Sequence, residues 1–317
     1  MSIADTRASA LTARYYASTA CCRVDNNPIG SDLLEKGMLQ RTIARRIDLP
    51  APERGQFGPD HQVVEVITPD AWGDQDPFIL LMDDRLDGTL RAGPHPHAGF
   101  ETVTFPLVGG MESEGGEGRL APGDVEWTTA GSGIVHGPAS TVSGQFRLLQ
   151  LWLTLPPSAR WTEPDNQIIR GADVPVRREP GIEMRLYSGT SGEIRSPTRN
   201  RVPVTLVDVR LEPGARVTQQ LPTTYNGFLY VIDGAVTAGT VELRPGQVGW
   251  LDRPEAPGQS ELLLENTGTA AARVLLYAGE RQSVSLVSYG PFIGESENDI
   301  VGSIERYKAG TFRDYTS

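Results

Sequence analysis

The segment "GPHPHAGFE", residues 93–101, holds two of the chain's four histidines, His95 and His97, separated by a single proline. Alternate residues of a β-strand point to the same side, so the two imidazoles would project together, ~6.5 Å apart along the chain. That spread suits two nitrogen ligands on one metal ion. Pro94 and Pro96 offer no backbone N–H, which predicts an edge strand, a bulge or a strand entrance.

A third histidine, His136, ends the segment "TAGSGIVH", 39 residues after His97. The glycines of this segment permit a backbone turn that would return a third imidazole to the same place. Neutral imidazoles are common ligands of divalent transition metals. The three histidines therefore predict one metal site, whereas His61 has no partner at ligand spacing and is expected to be structural or on the surface.

The composition narrows the class of protein. A chain of 317 residues is long enough for two domains of ~150 residues each. Its net charge of −11, with no basic tract, argues against a nucleic-acid partner. No apolar run reaches the ~20 residues of a membrane span, and the N-terminus has no signal-peptide core. Since the adjacent Cys21 and Cys22 cannot form a disulfide framework, we expect a cytoplasmic protein.

Short hydrophobic runs dominate the chain from about residue 60. They end in Gly, Pro or Asp turns, and examples are "HQVVEVI", "FRLLQLWLTLP" and "GFLYVIDG". Many short strands without alternating helices predict an all-β antiparallel barrel or sandwich. The last segment, "SENDIVGSIERYKAG", predicts a short C-terminal helix with Ile300, Val301, Ile304 and Tyr307 on one face.

The first 50 residues read differently and predict an N-terminal helical extension. In "SDLLEKGMLQRTIARRI", Asp32 and Glu35 have the spacing of a capping box. Leu33, Leu34, Met38, Leu39, Ile43 and Ile47 follow along roughly one helical face. We expect a short amphipathic helix followed by a linker.

An internal repeat indicates duplication. "LAPGDVEW" (120–127) and "LRPGQVGW" (243–250) share Leu-x-Pro-Gly-x-Val-x-Trp, and each follows a strand that ends in Gly. We predict an extension at 1–50, a first barrel domain with the metal site at 51–190, and a second at 191–317. At the repeat offset, the three histidines fall on Thr218, Gln220 and Gln259, so the second domain is expected to lack metal ligands.

Three motifs carry a family resemblance: "HPHAGFETVTF", "GDVEWTTAGSGIVH" and "GPFIGESENDIVGSIERYKAGTF". They resemble the pirin family, two-domain members of the cupin superfamily, over residues 45 to 312. The resemblance implies two jelly-roll-type cupin barrels in tandem, with one iron in the first barrel. In pirins, the iron ligands are two histidines of a His-Pro-His motif, a later histidine, and a glutamate two residues beyond it. On this chain the histidines are His95, His97 and His136, but the glutamate position is Pro138.

Glu101 is the candidate for the missing carboxylate. It has the same parity as His95 and His97, and His-x-His-x3-Glu is the spacing by which other cupins supply an acidic ligand. Pirins with an intact ligand set also carry a glutamate here that is not a ligand, so Glu101 has an alternative role in orienting a histidine. A water ligand or an empty site are further alternatives. Without the usual carboxylate, manganese, nickel, copper and zinc join iron as candidate metals.

The resemblance implies a dioxygenase that cleaves quercetin-like flavonols. In that interpretation, adjacent oxygens of a small aromatic substrate chelate the metal, and Glu101 accepts the hydroxyl proton. Two alternatives remain at this stage. One is a regulatory protein that binds a protein partner, and the other is a relic cupin whose metal site is weakened by Pro138.

Overall fold

The computed structural model describes residues 14–16, 38–56, 58–113, 118–137 and 140–315. Only the backbone is described at 14–16, 89–92 and 140–143. Strands predominate within these ranges, as the all-β prediction requires. They are numbered β1 to β29 along the chain. The two helices are α1 (Trp72–Gln75), which follows a 3₁₀ turn at Pro69–Ala71, and α2 (Glu297–Lys308).

A first antiparallel sheet of seven strands belongs to the first half of the chain. Its spatial order is β14 (Asp165–Ile169), β11 (Val125–Thr129), β8 (Phe100–Val108), β13 (Ser140–Thr154), β6 (Phe78–Ala92), β5 (His61–Ile67) and β4 (Glu53–Arg54). The two 15-residue strands β6 and β13 pair along almost their whole length and form the centre of the sheet.

A second seven-stranded sheet repeats this arrangement. Its order is β15 (Val176–Glu179), β16 (Ile182–Ser188), β19 (Val204–Leu211), β26 (Ala272–Glu280), β21 (Tyr225–Asp233), β24 (Gln247–Leu251) and β3 (Ile43–Asp48). The two repeated octamers occupy equivalent places, because one leads into β11 and the other into β24. Equal strand order in both sheets supports the duplication that the octamers indicate.

Smaller sheets complete the two barrels. A five-stranded sheet contains β2 (Leu39–Arg41), β25 (Gln259–Glu265), β22 (Val236–Ala238), β23 (Val241–Leu243) and β20 (Arg216–Pro222). A three-stranded sheet contains β29 (Arg313–Asp314), β12 (Ile134–His136) and β7 (His95–His97), and another contains β1 (Arg14–Tyr16), β27 (Leu286–Tyr289) and β28 (Phe292–Gly294). Two hairpins pair β9 (Met111–Glu112) with β10 (Arg119–Leu120) and β17 (Thr190–Ser191) with β18 (Ile194–Arg195).

The two large sheets share one hydrophobic core. Val103 and Trp127 of the first sheet belong to the same buried cluster as Phe228, Tyr230 and Tyr277 of the second. A separate apolar cluster fills the space between the second sheet and the five-stranded sheet. Strand residues alternate between the two faces, so the second sheet is apolar on both of its faces.

A buried ion pair occurs at equivalent places in the two sheets. In the first, Arg147 on β13 donates two hydrogen bonds to Asp83 on β6, both of 2.9 Å. In the second, Arg273 on β26 donates to Asp208 on β19 at 2.9 and 2.8 Å. The hydroxyl of Tyr230 also donates to Asp83 at 2.7 Å and so links the two sheets. The ion pair is therefore a second duplicated feature, and its four residues lie outside the repeated octamers found in the sequence.

The N-terminal helix prediction is wrong for residues 39–48. This stretch forms β2 and β3, which pair with β25 and β24, and residues 31–37 lie outside the described ranges. The buried Arg41 side chain anchors the stretch by donating to Asp252 at 3.2 Å and to the Tyr225 carbonyl at 3.2 Å. Pairing with β25 and β24 gives the backbone of this stretch hydrogen bonds at two sheet edges, and these outweigh its weak helical propensity.

The stretch that contains β3 takes the place in the second sheet that β14 takes in the first. Strands β15 and β16, which precede the predicted domain boundary, likewise pair within the second sheet. The domain limits remain a prediction, because strands on both sides of the predicted boundary at residue 190 pair within the second sheet.

The C-terminal helix prediction is confirmed. Helix α2 begins after Ser296, whose side chain and that of Asp299 form a capping box. Ile300 is buried as expected, but Val301 is 48% exposed, so the predicted single apolar face is narrower than the sequence indicates. No helix in the described ranges has the length and apolar character that crossing a membrane requires.

Candidate metal centre

The three predicted histidines lie on two paired strands. Strands β7 and β12 are antiparallel, with His95 opposite His136 and His97 opposite Ile134. Strand β7 is the edge of its sheet, as its prolines predict, since Pro96 has no N–H to donate to a further neighbour. The register therefore places all three imidazoles on one small area of the first barrel.

The imidazoles converge. Ring centroids are 4.7 Å apart for His95 and His97, 4.6 Å for His95 and His136, and 4.7 Å for His97 and His136. One ligand nitrogen from each ring lies within 4.8 Å of the others. Among the residues that the structure describes, this is the only group of three or more His, Cys, Asp or Glu side chains close enough to hold a metal ion.

Burial keeps two of the three imidazoles, those of His97 and His136, neutral and fit for a metal. Burial lowers the pKa of His97 well below its usual range, and the neighbouring His136 and His95 lower it further. Burial, followed by the charge of His95, lowers the pKa of His136 to about 3. The buried Nδ1 of His97 has no hydrogen-bond partner in the described part of the chain, a cost that a ligand to this ring would relieve.

His95 forms the open side of the group. Its ring is half-buried, while His97 and His136 are buried. Nδ1 of His95 lies 3.1 Å from the carbonyl of Gly93, and the hydrogen bond requires this nitrogen to donate. Nε2 of His95 then carries the lone pair, which is the arrangement that commonly orients a metal-bound histidine. The donor set fits one divalent transition metal.

An aromatic wall adjoins the triad. The ring centroid of His97 lies 5.1 Å from that of Phe100 and 5.3 Å from that of Trp152. The centroids of Phe100 and Trp152 lie 4.3 Å apart. Phe100 is fully buried, whereas Trp152 is half-buried. Trp152 was not among the predicted site residues, although its place in the alternating segment "LLQLWLTL" could have indicated it.

The wall continues as a polar surface inside the first barrel. On the Trp152 face of the first sheet, Thr102 lies opposite Thr128, and Thr104 lies opposite Glu126. Side chains along this surface bond to one another, in contrast to the apolar filling of the second barrel. The bonds run from Ser113 to Glu126 at 2.6 Å, from Asn166 to Glu126 at 2.9 Å, from Thr128 to Asn166 at 2.6 Å, and from Thr104 to Gln150 at 3.1 Å.

Glu101 is not brought to the triad. The expectation that it shares a face with His95 and His97 is wrong, because β7 and β8 are separate strands joined through Gly99, which has φ +87°. Glu101 shares its face with Val103 in the core between the large sheets and accepts a 2.7 Å hydrogen bond from Thr129. Burial raises the pKa of Glu101 to about 7, although the Thr129 hydrogen bond opposes the rise.

The other predicted residues have simple outcomes. Nε2 of His61 lies 2.8 Å from Oδ1 of Asp84, which agrees with a structural role. Thr218 and Gln220 lie on β20 and Gln259 on β25, and these strands pair with each other as β7 and β12 do. Pro138, Cys21 and Cys22 lie outside the described residues.

Two tandem antiparallel barrels with matching strand order, and a histidine triad on paired strands of the first, define a two-domain cupin. Family comparisons agree: residues 60–153 match the model described as Pirin, and residues 206–313 match the Pirin C-terminal cupin domain. The chain belongs to the pirin family.

Similar proteins support this assignment. Pirin-like protein 2 of Arabidopsis thaliana is 32% identical over 245 residues, which cover 74% of this chain and 75% of the relative. Human Pirin is 31% identical over 239 residues, which cover 72% and 80%. The crystal structure of quercetin 2,3-dioxygenase from Acinetobacter baumannii matches with a TM-score of 0.75 at 25% identity, over 86% of this chain and 98% of that one.

Proposed function

We propose that this chain holds one divalent transition metal on His95, His97 and His136 and oxidatively cleaves a flavonol-like aromatic substrate. The single observation that carries the proposal is the convergence of three imidazoles beside an aromatic wall. Similarity to a quercetin 2,3-dioxygenase supports the substrate class. Iron is the first candidate metal, and manganese, nickel, copper and zinc also suit the three imidazoles.

When bound, the metal would supply Lewis-acid and redox chemistry to adjacent oxygens of the substrate. The chain's own groups account for recognition. Phe100 and the half-buried Trp152 offer flat apolar surface against which an aromatic ring packs. The half-buried His95 marks the side of the triad that a substrate approaches. Glu101 lies on the face of the first sheet that points away from the triad, so its position does not support the predicted roles as metal ligand and proton acceptor.

Metal analysis and oxygen uptake test the proposal together. Protein purified without chelator should contain close to one metal per chain and consume oxygen with flavonols. His97→Ala should lose both properties, because the site would retain two of its three imidazoles. Gln220→Ala, an exposed change at the equivalent position of the second barrel, serves as the matched control and should retain both.

Two results would contradict the proposal. Metal content below about a tenth per chain would favour a relic site, since a resident metal is held far more completely. Full metal content without oxygen uptake on any flavonol would remove the dioxygenase function. The regulatory, protein-binding alternative would then take its place.

A further inference from the structure

A second glutamate, Glu126, occupies the face of the first sheet that Glu101 does not. It is the second residue of β11 and is fully buried. Opposite it on β8 is Thr104, on the same face as Trp152, whose ring contacts His97. Of the two buried glutamates in this sheet, Glu126 is therefore the one on the metal side.

The surroundings of Glu126 hold its carboxylate in one position. Ser113 donates to Oε1 at 2.6 Å, and the side-chain amide of Asn166 donates to the same oxygen at 2.9 Å. Asn166 is fixed in turn, since its Oδ1 accepts from Thr128 at 2.6 Å. Ser113 and Asn166 are neutral donors, so these two hydrogen bonds orient the carboxylate without cancelling its charge.

Charge balance gives this carboxylate a task. Three neutral imidazoles leave the full +2 charge of a metal ion uncompensated, and no carboxylate belongs to the converging group of ligand atoms among the described residues. A net positive charge inside a protein is costly unless an opposite charge lies nearby. Glu126 shares its face of the first sheet with Trp152, whose ring centroid lies 5.3 Å from that of His97, so its carboxylate is on the side of the sheet that carries the proposed metal site.

We propose that Glu126 is the carboxylate that balances the charge of the metal held by His95, His97 and His136, without itself being a ligand. This inference rests on the proposed metal binding. Glu126 is not part of the group of converging ligand atoms, so it acts through space and through its fixed position. It is a positioning and charge-balancing residue of the site.

The test is a calorimetric titration of metal-free protein with Ni²⁺, an ion that avoids oxidation during the measurement. E126Q removes the charge and keeps the shape of the side chain, and we expect about tenfold to a hundredfold weaker binding. E101Q is the matched control, because it makes the same change at an equally buried glutamate on the opposite face. Its affinity should stay within about twofold of the wild-type value.

A second measurement separates charge balance from ligation. The d–d absorption spectrum of Co²⁺-loaded protein reports the ligand set, and it should be the same in E126Q and in wild type. A changed spectrum would make Glu126 a ligand and overturn the proposal. Glu126→Asp, which keeps the charge, should recover most of the lost affinity, and failure to do so would also count against it.

Other outcomes are equally decisive. If wild type binds Ni²⁺ and E126Q binds it as tightly, the inference falls while the metal site stands. If wild type binds no metal, both the proposed function and the inference fall. Should E126Q fail to fold, Glu126→Thr provides a neutral variant that matches Thr104 and Thr128, with the same expected loss of affinity.

Discussion

At the scale of single residues, two fully buried glutamates in one sheet have opposite surroundings. Glu126 lies among hydroxyl and amide donors on the barrel side, whereas Glu101 lies against the core shared by the two large sheets. Both side chains are equally remote from bulk water, so their neighbours decide what each does. The position of Glu101 predicts an effect on stability rather than on the metal.

That effect should depend on pH. The folded protein favours protonated Glu101, because burial raises its pKa to about 7 from the ordinary 4.5. The stability that goes with this protonation is fully present below pH 4.5 and is lost as the pH rises through 7. Relative to E101Q, wild type should therefore lose up to about 3 kcal/mol of unfolding free energy between pH 4.5 and 8. Urea unfolding across this range checks the trend, and a constant difference would contradict it.

At the scale of elements, the metal sheet depends on the end of the chain. Strand β29 runs parallel to β12, and the backbone N–H groups of Arg313 and Tyr315 donate to the carbonyls of Gly133 and Val135 at 3.0 and 2.9 Å. The Phe312 ring fills the space beside Gly133, where an added Cβ would lie 2.2 Å from it. The segment that carries His136 is thus held from its outer side by the C-terminal segment.

Phe312→Ala should accordingly weaken the metal site. Loss of this buried ring is expected to cost about 3 kcal/mol of unfolding free energy. It should also reduce Ni²⁺ affinity several-fold, because β12 would lose a contact that holds His136 against β7. Calorimetry and urea unfolding measure the two effects. Val301→Ala, an exposed change on α2, is the control, and an unchanged affinity in Phe312→Ala would show that the triad is independent of β29.

The N-terminal stretch shows where element prediction stops. Residues 39–48 have apolar side chains at helical spacing, yet they form β2 and β3 at the edges of two sheets. Those edges are created by strands about 200 residues further along the chain, as the pairing of Trp250 with Arg45 illustrates. Local periodicity contains no information about such partners. By contrast, the capping signal of α2 is local and was sufficient to predict that helix.

At the scale of the whole molecule, the two large sheets are joined through a shared hydrophobic core. Aromatic rings of the second sheet pack against Val103 and Trp127 of the first. The hydrogen bond from Tyr230 to Asp83 crosses the same interface and joins a buried carboxylate that also pairs with Arg147. The arrangement fixes the orientation of one sheet on the other.

Tyr230→Phe should cost about 1–3 kcal/mol of unfolding free energy, because Asp83 would lose a donor in a buried environment. Metal affinity should not change, since the substitution lies across the core from the triad. Chemical denaturation and Ni²⁺ titration measure these quantities. Tyr289→Phe, on an exposed side chain, is the matched control. If Tyr230→Phe were as stable as that control, the interface would not depend on this bond.

The sequence by itself determined the all-β class, the duplication, the C-terminal helix and the three histidines, because each leaves a local or strictly repeated pattern. The tertiary structure alone decided which glutamate faces the triad. Because β7 ends and β8 begins around Gly99, Glu101 does not share a face with His95 and His97. The pairing of β11 with β8 places Glu126 on the other face of the first sheet, the face of Trp152. Side-chain facing depends on where strands break and which strands they join, and those partners lie far apart along the chain.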